Sequence, residues 1–455
     1  MNIIIAGVGQ VGVQIARNLT AEGHDITLID HDSDTLETAS NELDVICCIG
    51  SVTSLDTLNE AGAQQADILI ATTDSDEANM ICALAARRLG TRYTVARIRN
   101  PEYLPQREFL REAIGLSVII NPEYECAREI SHILRFSSAI RVEVFSNGSA
   151  EVLDCRIPDG SPLIGLSLQE CSRRYEAKVL VAIVEREEEV RIPDGDFVLC
   201  AGDKLSLMGE ESEIRRFLAA AGHRENRINN VLIMGGSHTG VYLAELLEKD
   251  GINVSVLESS EVRCNELFEL IPRASIICGD GTRDEVLLEE GIRGTDAFVA
   301  LTGNDGDNIV TAMYAKRCGV PKAVVKVEHR HFSDMLDGDG GDTMISPKEI
   351  VSQQIVGFVR ALSDSSGLSS IETIHKLANG QIEAVEFKVC SGAKCIGIPL
   401  SELKMPKGVL IIAITRGKTT FIPNGSATIE DGDYAVAVAP AGTLKDINDI
   451  VGGEK

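Results

Sequence analysis

Two hexapeptides 228 residues apart have the spacing that lets a backbone close around a phosphate: Gly7-Val8-Gly9-Gln10-Val11-Gly12 and Gly235-Gly236-Ser237-His238-Thr239-Gly240. Glycines at these positions remove the Cβ atoms that would hold an anion away, so N–H groups at a helix N-terminus can reach a pyrophosphate. A carboxylate follows each hexapeptide, Asp30 in the first copy and Glu258 in the second. An acidic side chain at that point accepts the hydroxyls of an adenosine ribose and repels a 2′-phosphate. Arg97 and Lys326, each ending an apolar run, supply the counter-charge that phosphates need.

These residues require elements to carry them. Each hexapeptide follows an apolar run (Ile3 to Ala6, Val231 to Met234) and opens an amphipathic segment, and each carboxylate ends the next apolar run (Ile26 to Asp30, Val254 to Glu258). That is the strand, turn, helix, strand and carboxylate order of a dinucleotide-binding unit. The duplication extends well past the glycines. Gly50-Ser51-Val52-Thr53 faces Gly279-Asp280-Gly281-Thr282, and Ala71-Thr72-Thr73-Asp74 faces Ala300-Leu301-Thr302-Gly303. Asn121-Pro122 faces Ser346-Pro347. Asp76, Asn79, Asp305 and Asn308 read as caps of the helix that follows. After each proline comes a helical stripe (Ile130, Ile133, Leu134; Val351, Ile355, Phe358, Val359, Leu362), expected to pack on a neighbouring domain or subunit.

A smaller module of about 80 residues then closes each half. Ile192-Pro193-Asp194-Gly195 with Gly202-Asp203 matches Ile422-Pro423-Asn424-Gly425 with Gly432-Asp433, around short β-runs at Val179 to Val184 and Val409 to Ile414. The fold expected is α/β: two tandem Rossmann-like, doubly wound parallel sheets, each followed by a small α+β lobe. The boundaries expected are 1–122 and 228–347 for the sheet domains and 139–222 and 368–450 for the lobes.

Composition narrows the functional classes. The chain has 455 residues and a formal net charge of -26, so its field repels nucleic acid and anionic lipid. No run approaches the ~18 apolar residues of a membrane helix, and Met1 leads straight into the first strand, which predicts a cytosolic protein. The 12 cysteines contain no Cys-x-x-Cys pair and are expected to be reduced thiols, not disulfides or zinc ligands. The acidic run Glu185 to Glu189 and the loop Asp337 to Asp342 suggest a divalent ion, but the loop lacks EF-hand spacing, and no metal is expected.

With these motifs in hand, the chain resembles, over residues 1 to about 450, the family of peripheral nucleotide-binding subunits of Trk-type potassium uptake systems. Its halves resemble RCK domains, each a Rossmann part with a TrkA-C lobe. The resemblance implies NAD(H) as ligand, with ATP or ADP as the alternative, held by residues 7 to 12, Asp30, Thr72, Thr73, Asp74 and Arg97, then residues 235 to 240, Glu258, Thr302 and Lys326. It also implies a homotetramer on the inner face of the membrane, attached through a TrkH- or TrkG-like potassium channel subunit, without lipid insertion. Two positions depart from the pattern. Ser51 stands where the second half has Asp280, which predicts an altered polar contact near the adenosine. Ser237 replaces the middle glycine, and its Cβ is expected to crowd the pyrophosphate and weaken the second site.

The rival class is an NAD-dependent oxidoreductase, which needs an acid or base positioned at the nicotinamide. The eight histidines (24, 31, 132, 223, 238, 329, 331, 375) do not coincide between repeats, and there is no Tyr-x-x-x-Lys pair. The reading is therefore a non-enzymatic sensor, with regulation of a different cation transporter as a further alternative.

Overall fold

The computed structural model describes residues 1–136, 138–145, 150–187, 189–223, 227–328, 342–363 and 369–451. The first sheet domain runs β1 (Asn2–Ala6), α1 (Gln10–Ala21), β2 (Asp25–Asp30), α2 (Ser33–Glu42), β3 (Ile46–Ile49), α3 (Leu55–Glu60), β4 (Ile68–Ala71), α4 (Asp76–Leu89), β5 (Tyr93–Arg97), α5 (Arg107–Ile114) and β6 (Val118–Ile120). Its strands pair in parallel in the order β3-β2-β1-β4-β5-β6. Helices cover both faces, which is why β4, Ile68-Leu-Ile-Ala71, is buried at every residue and not at alternate ones. After α6 (Pro122–Leu134) comes an antiparallel lobe: β7 (Arg141–Phe145), β8 (Ala150–Arg156), α7 (Leu168–Tyr175), β9 (Leu180–Arg186), β10 (Glu189–Arg191), β11 (Lys204–Met208) and α8 (Glu211–Ala221).

The second half repeats the plan. Its parallel sheet is built from β12 (Asn230–Met234), β13 (Asn253–Glu258), β14 (Ser275–Cys278), β15 (Ala297–Ala300), β16 (Lys322–Lys326) and β17 (Asp342–Ile345) in the order β14-β13-β12-β15-β16-β17. Its helices are α9 (His238–Lys249), α10 (Glu261–Leu270), α11 (Asp284–Glu289), α12 (Asp305–Arg317) and the long α13 (Pro347–Ser363). The second lobe is the antiparallel sheet of β18 (Ser369–Leu377), β19 (Ile382–Val389), β20 (Leu410–Arg416), β21 (Thr419–Phe421) and β22 (Tyr434–Pro440). Among the described residues no helix is long and apolar enough to cross a membrane.

Each sheet domain sends its last helix to the other one. Ile130, Ile133 and Leu134 of α6 share a core with Val241, Leu243 and Leu247 of α9. Val351, Ile355, Val356 and Val359 of α13 share a core with Ile15 and Leu19 of α1. Polar contacts fix the crossing: Asn18 donates to Ser352 at 2.8 Å, and Arg360 bridges Glu22 and Glu383 at 2.6 and 3.1 Å. The apolar stripes after Pro122 and Pro347 are therefore buried against the other half of the same chain, and they give no reason of their own for self-association.

The lobes also pack on each other, sheet against sheet, through Phe145, Val152, Ile183 and Met208 on one side and Ile382, Ala384, Ile412 and Val436 on the other. Buried within this interface, Glu143 takes ion pairs from Arg141 and His375. Burial works against that carboxylate, but Arg141 and His375 outweigh it and hold its pKa down at about 2. The paired Gly-Asp signature of the lobes proves to be a folding clasp. Asp203, fully buried, accepts two bonds from Arg186 (2.7 and 2.8 Å) and one from the Cys200 N–H, and Asp433 does the same with Arg416 and the Glu430 N–H. Glu185 of the acidic run is occupied by Lys204 at 2.8 Å, while residues 329–341, which carry His329, His331 and most of the Asp337 to Asp342 loop, lie outside the described residues.

Candidate nucleotide sites

In both parallel sheets the strand order reverses between the first and fourth strands, β1 with β4 and β12 with β15. The loops leaving the carboxyl ends of such a strand pair diverge and leave a crevice, the place where doubly wound folds bind ligands. The first glycine loop leaves β1 on one side of the crevice, and the Thr72-Thr73-Asp74 turn leaves β4 on the other. Gly7 makes the approach with φ +98°, and a Cβ there would sit 2.6 Å from the Thr73 nitrogen. A Cβ on Gly12 would collide with the Gly7 carbonyl oxygen, so α1 can start close under the loop only with glycine at this point. Gly9 differs from both. Nothing lies within 4 Å of where its Cβ would be, and no side chain caps α1, so the free N–H groups of that helix end face open space.

Asp30 ends β2, and its carboxylate orders the loop beside it. Its Oδ2 accepts the Val8 N–H at 2.7 Å, which ties the glycine loop to the second strand, and its Oδ1 accepts the Asp32 N–H at 3.1 Å and lies 2.9 Å from His31. Glu258 repeats this clasp with the Gly236 N–H (2.8 Å) and the Ser260 N–H (2.8 Å). Carboxylates held by backbone N–H groups are oriented before a ligand arrives.

The threonine turns are equally well held. Asn79, wholly buried, accepts from the Thr73 N–H and hydroxyl (2.8 and 2.7 Å) and donates to the Thr73 and Arg97 carbonyls (3.0 and 2.9 Å). Asn308 stitches Thr302 to Lys326 in the same way. The expectation that Asp76, Asn79, Asp305 and Asn308 cap helices is thus corrected: Ser75 and Asn304 are the caps. Asp76 instead accepts the Arg99 and Asn100 N–H groups, and Asp305 accepts the Glu328 N–H. The signal was present, since an Asn six residues after each threonine recurs in both halves.

Arg97 lies at the end of β5 with 11 % of its side chain exposed, 3.6 Å from Glu123 and 4.0 Å from Asp74. Burial depresses its pKa, with Glu123 opposing that shift and Arg99 adding to it. Its buried Nε has no hydrogen-bond partner, nor has Glu123 Oε2, so the pair is not saturated. Lys326 occupies the matching place, 3.8 Å from Glu328. Ser51 and Asp280 both brace their turns on a threonine two residues on, Thr53 and Thr282, so the local geometry survives the Ser-for-Asp exchange.

Glu123, Arg99 and Tyr242 were missed by motif reasoning: the first two lie outside the glycine and threonine motifs and pair within the first domain, and Tyr242 reaches it from the other repeat. Tyr242 of α9 donates to the Arg99 carbonyl at 2.7 Å, receives from Asn121 at 3.1 Å and packs edge-on against Tyr124. The second glycine loop thereby rests on the first domain. His238 opens α9, and its pKa is lowered, by burial first and then by Arg263.

In the second loop Gly235 has φ +107°, and a Cβ at Gly240 would lie 2.6 Å from the Gly235 oxygen, as in the first copy. Ser237 does not distort the backbone. Its φ/ψ of -66°/173° match the -70°/-173° of Gly9, and its hydroxyl caps α9 by accepting the Gly240 N–H at 3.4 Å. The expectation of reduced thiols is corrected in this domain: Cys264 of α10 and Cys278 of β14 form a disulfide, with Cα atoms 6.2 Å apart. The sequence hid it because a helix and a strand end 14 residues apart meet only in the folded sheet.

Models of known families match the same units. The TrkA-N domain matches residues 3–122 and 231–347, and the TrkA-C domain matches 152–222 and 384–452. The Trk system potassium uptake protein TrkA homolog of Archaeoglobus fulgidus is 31% identical over 450 residues, covering 99% of this chain and 100% of that protein. The Trk system potassium uptake protein TrkA of Vibrio alginolyticus is 32% identical over 440 residues, covering 96% and 95%. Among solved structures, the GsuK channel bound to NAD shares the fold with a TM-score of 0.63 at 17% identity, over 96% of this chain and 76% of that one. Two TrkA-N sheet domains and two TrkA-C lobes in tandem, and full-length relatives at about this identity, leave one conclusion: the chain belongs to the TrkA family.

Proposed function

We propose that this protein is a nucleotide-sensing regulatory subunit that gates a membrane potassium uptake channel. The observation that carries the reading is the first crevice, where an uncapped helix N-terminus, a pre-oriented Asp30 and a buried, unsaturated Arg97 converge at one switch point. The ligand assigned is NAD(H), with ATP or ADP as the alternative. Gly7 to Gly12 take the pyrophosphate, Asp30 the ribose, Thr72 to Asp74 and Arg97 the far phosphate side, and Ser51 the adenosine edge. Residues 235 to 240, Glu258, Asp280, Thr302 and Lys326 form the second, weaker site. The units that move are the sheet domains, 1–122 and 228–347, with lobes 139–222 and 368–450 following. Because α6 and α13 cross between the sheet domains, a ligand that prefers one relative orientation shifts the whole chain by its differential affinity.

Self-association is part of the proposal, for a reason other than the crossed helices. Ile81 and Leu84 on α4 are 51% and 39% exposed, and Val310 and Met313, at the same places on α12, are 64% and 53% exposed. An apolar pair left open at equivalent positions of both repeats is what a ring of alternating domains would cover. Sedimentation showing only a monomer at micromolar concentration would remove this part. The proposal includes a TrkH- or TrkG-like partner at the inner membrane face, a reading supported by relatives named as potassium uptake proteins, and tight binding to protein-free anionic vesicles would count against protein-mediated attachment.

Calorimetric titration tests the core of the reading. NADH should bind the wild type, NADPH should bind less tightly because Asp30 repels a 2′-phosphate, and Asp30→Ala should weaken NADH and narrow the gap between the two. Unchanged NADH affinity in a correctly folded Asp30→Ala protein would make the first loop a purely structural turn. NADH turnover with candidate substrates would restore the oxidoreductase alternative.

A further inference from the structure

We propose that Cys264 and Cys278 are a reversible thiol–disulfide switch that controls the ribose-binding edge of the second nucleotide site. The proposal rests on the nucleotide reading of that site and adds its regulation. The placement is specific. Cys278 is the last residue of β14 and pairs in register with Glu258, the carboxylate assigned to the ribose. The Cys264 sulfur lies 3.5 Å from the Glu258 carbonyl oxygen. The bond therefore joins α10 to β14 directly across the residue that holds the ligand.

The same helix grips the glycine loop. Arg263, next to Cys264, donates to the Gly236 carbonyl at 2.8 Å, and Leu267 packs where a Cβ of Gly236 would be. Any shift of α10 on opening the disulfide is passed to both Gly236 and Glu258. The first repeat has no counterpart: Leu36 and Ile49 stand at the equivalent points of α2 and β3, so the switch would act on one site and leave the other alone.

Exposure fits a reversible reaction. Cys278 is exposed while Cys264 is only 4% exposed, which gives an incoming thiol or disulfide one sulfur to reach and shields the other. In the oxidising direction the Cys278 thiolate attacks a low-molecular-weight disulfide and releases one thiolate, leaving a mixed disulfide. The Cys264 thiolate then displaces the second thiolate and closes the ring. Two electrons pass from the two cysteines to the small disulfide, and the two protons leave with two small thiols.

The test uses the full chain equilibrated in reduced or oxidised glutathione, trapped by alkylation and mapped by mass spectrometry. Cys264 and Cys278 should be found linked in oxidised buffer and both alkylated in reduced buffer. In an Asp30→Ala background, which weakens the first site so that it titrates well apart from the wild-type range, ADP and NADH should bind the second site of the oxidised protein about 5-fold or more tightly than that of the reduced one. Adding Cys278→Ser should erase the difference, and Cys278→Ala should behave alike. Absence of the linkage at every glutathione ratio overturns the proposal, as does linkage with equal, measurable affinity in both buffers. If the pair links but the Asp30→Ala protein binds neither nucleotide in either buffer, the second-site reading fails and takes the switch with it.

Discussion

The two glycine loops share a backbone path and differ in what fills the ligand's space. In the first, Gly9 leaves the end of α1 uncapped and open; in the second, Ser237 caps α9 and adds a Cβ at the same point of the loop. Both adopt nearly the same φ and ψ, so the difference is not one of strain. A helix end with unsatisfied N–H groups is a better anion site than one that has already satisfied itself. The second copy spends one of its helix-end N–H groups on its own cap, and among the described residues it alone carries a disulfide, the Cys264–Cys278 link beside its carboxylate.

The largest effect tests the path that the two loops share. Gly12→Ala forces a Cβ into the Gly7 carbonyl, and neither atom can yield without moving the start of α1 or the end of β1. The substitution should destabilise the first sheet domain by about 1–3 kcal/mol and abolish NADH binding there. Gly240→Ala should destabilise the second domain in the same sense. Thermal unfolding with calorimetry reads both, and an unaltered first transition in Gly12→Ala would mean that the loop is looser than its contacts imply.

Next in size is the carboxylate. Asp30→Ala removes a charged acceptor worth ~1.5–3 kcal/mol to the ribose, so NADH should weaken roughly 10- to 150-fold at the first site. It also leaves the Val8 N–H without its partner, so a modest loss of stability should accompany it. Glu258→Ala should leave the first site intact. Equal losses in both variants would show that the sites are not separable.

Much of this was legible from the residues. The repeat, the switch-point sheets and the carboxylates follow from local order, since each glycine loop and its carboxylate lie within one β-α-β unit. What was not legible is what only chain crossing creates. The stripes on α6 and α13 read as surfaces for a neighbouring domain or subunit, because periodicity reports an apolar face but not what covers it; here α9 and α1 of the opposite repeat do. Asn79 and Asn308 read as caps by position, yet their side chains are buried and serve the strand ends instead. The disulfide was invisible for a similar reason, because a sheet register brings Cys278 beside Glu258 and under α10.

A smaller effect comes from making the first loop resemble the second. Gly9→Ser meets no protein atom and gains a capping hydroxyl, so the fold should be unharmed or slightly stabilised. NADH affinity should nevertheless fall by about tenfold, equivalent to ~1.4 kcal/mol, because the Cβ occupies the ligand's approach. Calorimetry on the folded variant gives the answer. Unchanged affinity would shift the cause of any site difference away from this position and towards Glu258 and its surroundings.

The smallest effect is the reverse exchange. Ser237→Gly removes the hydroxyl that accepts the Gly240 N–H but keeps a backbone conformation that glycine tolerates, so the second domain should lose only a few tenths of a kcal/mol. The freed N–H groups and the vacated Cβ volume both favour an anion, so ADP and NADH should bind the second site a few-fold more tightly, about 3-fold. The measurement belongs in the Asp30→Ala background, where the first site contributes least to the heat. A rise in affinity with almost no change in the unfolding temperature would place the difference between the two repeats in one side chain. A fall in affinity would mean that the Ser237 hydroxyl is itself a ligand contact, and the second loop would then be specialised for its nucleotide and not weakened.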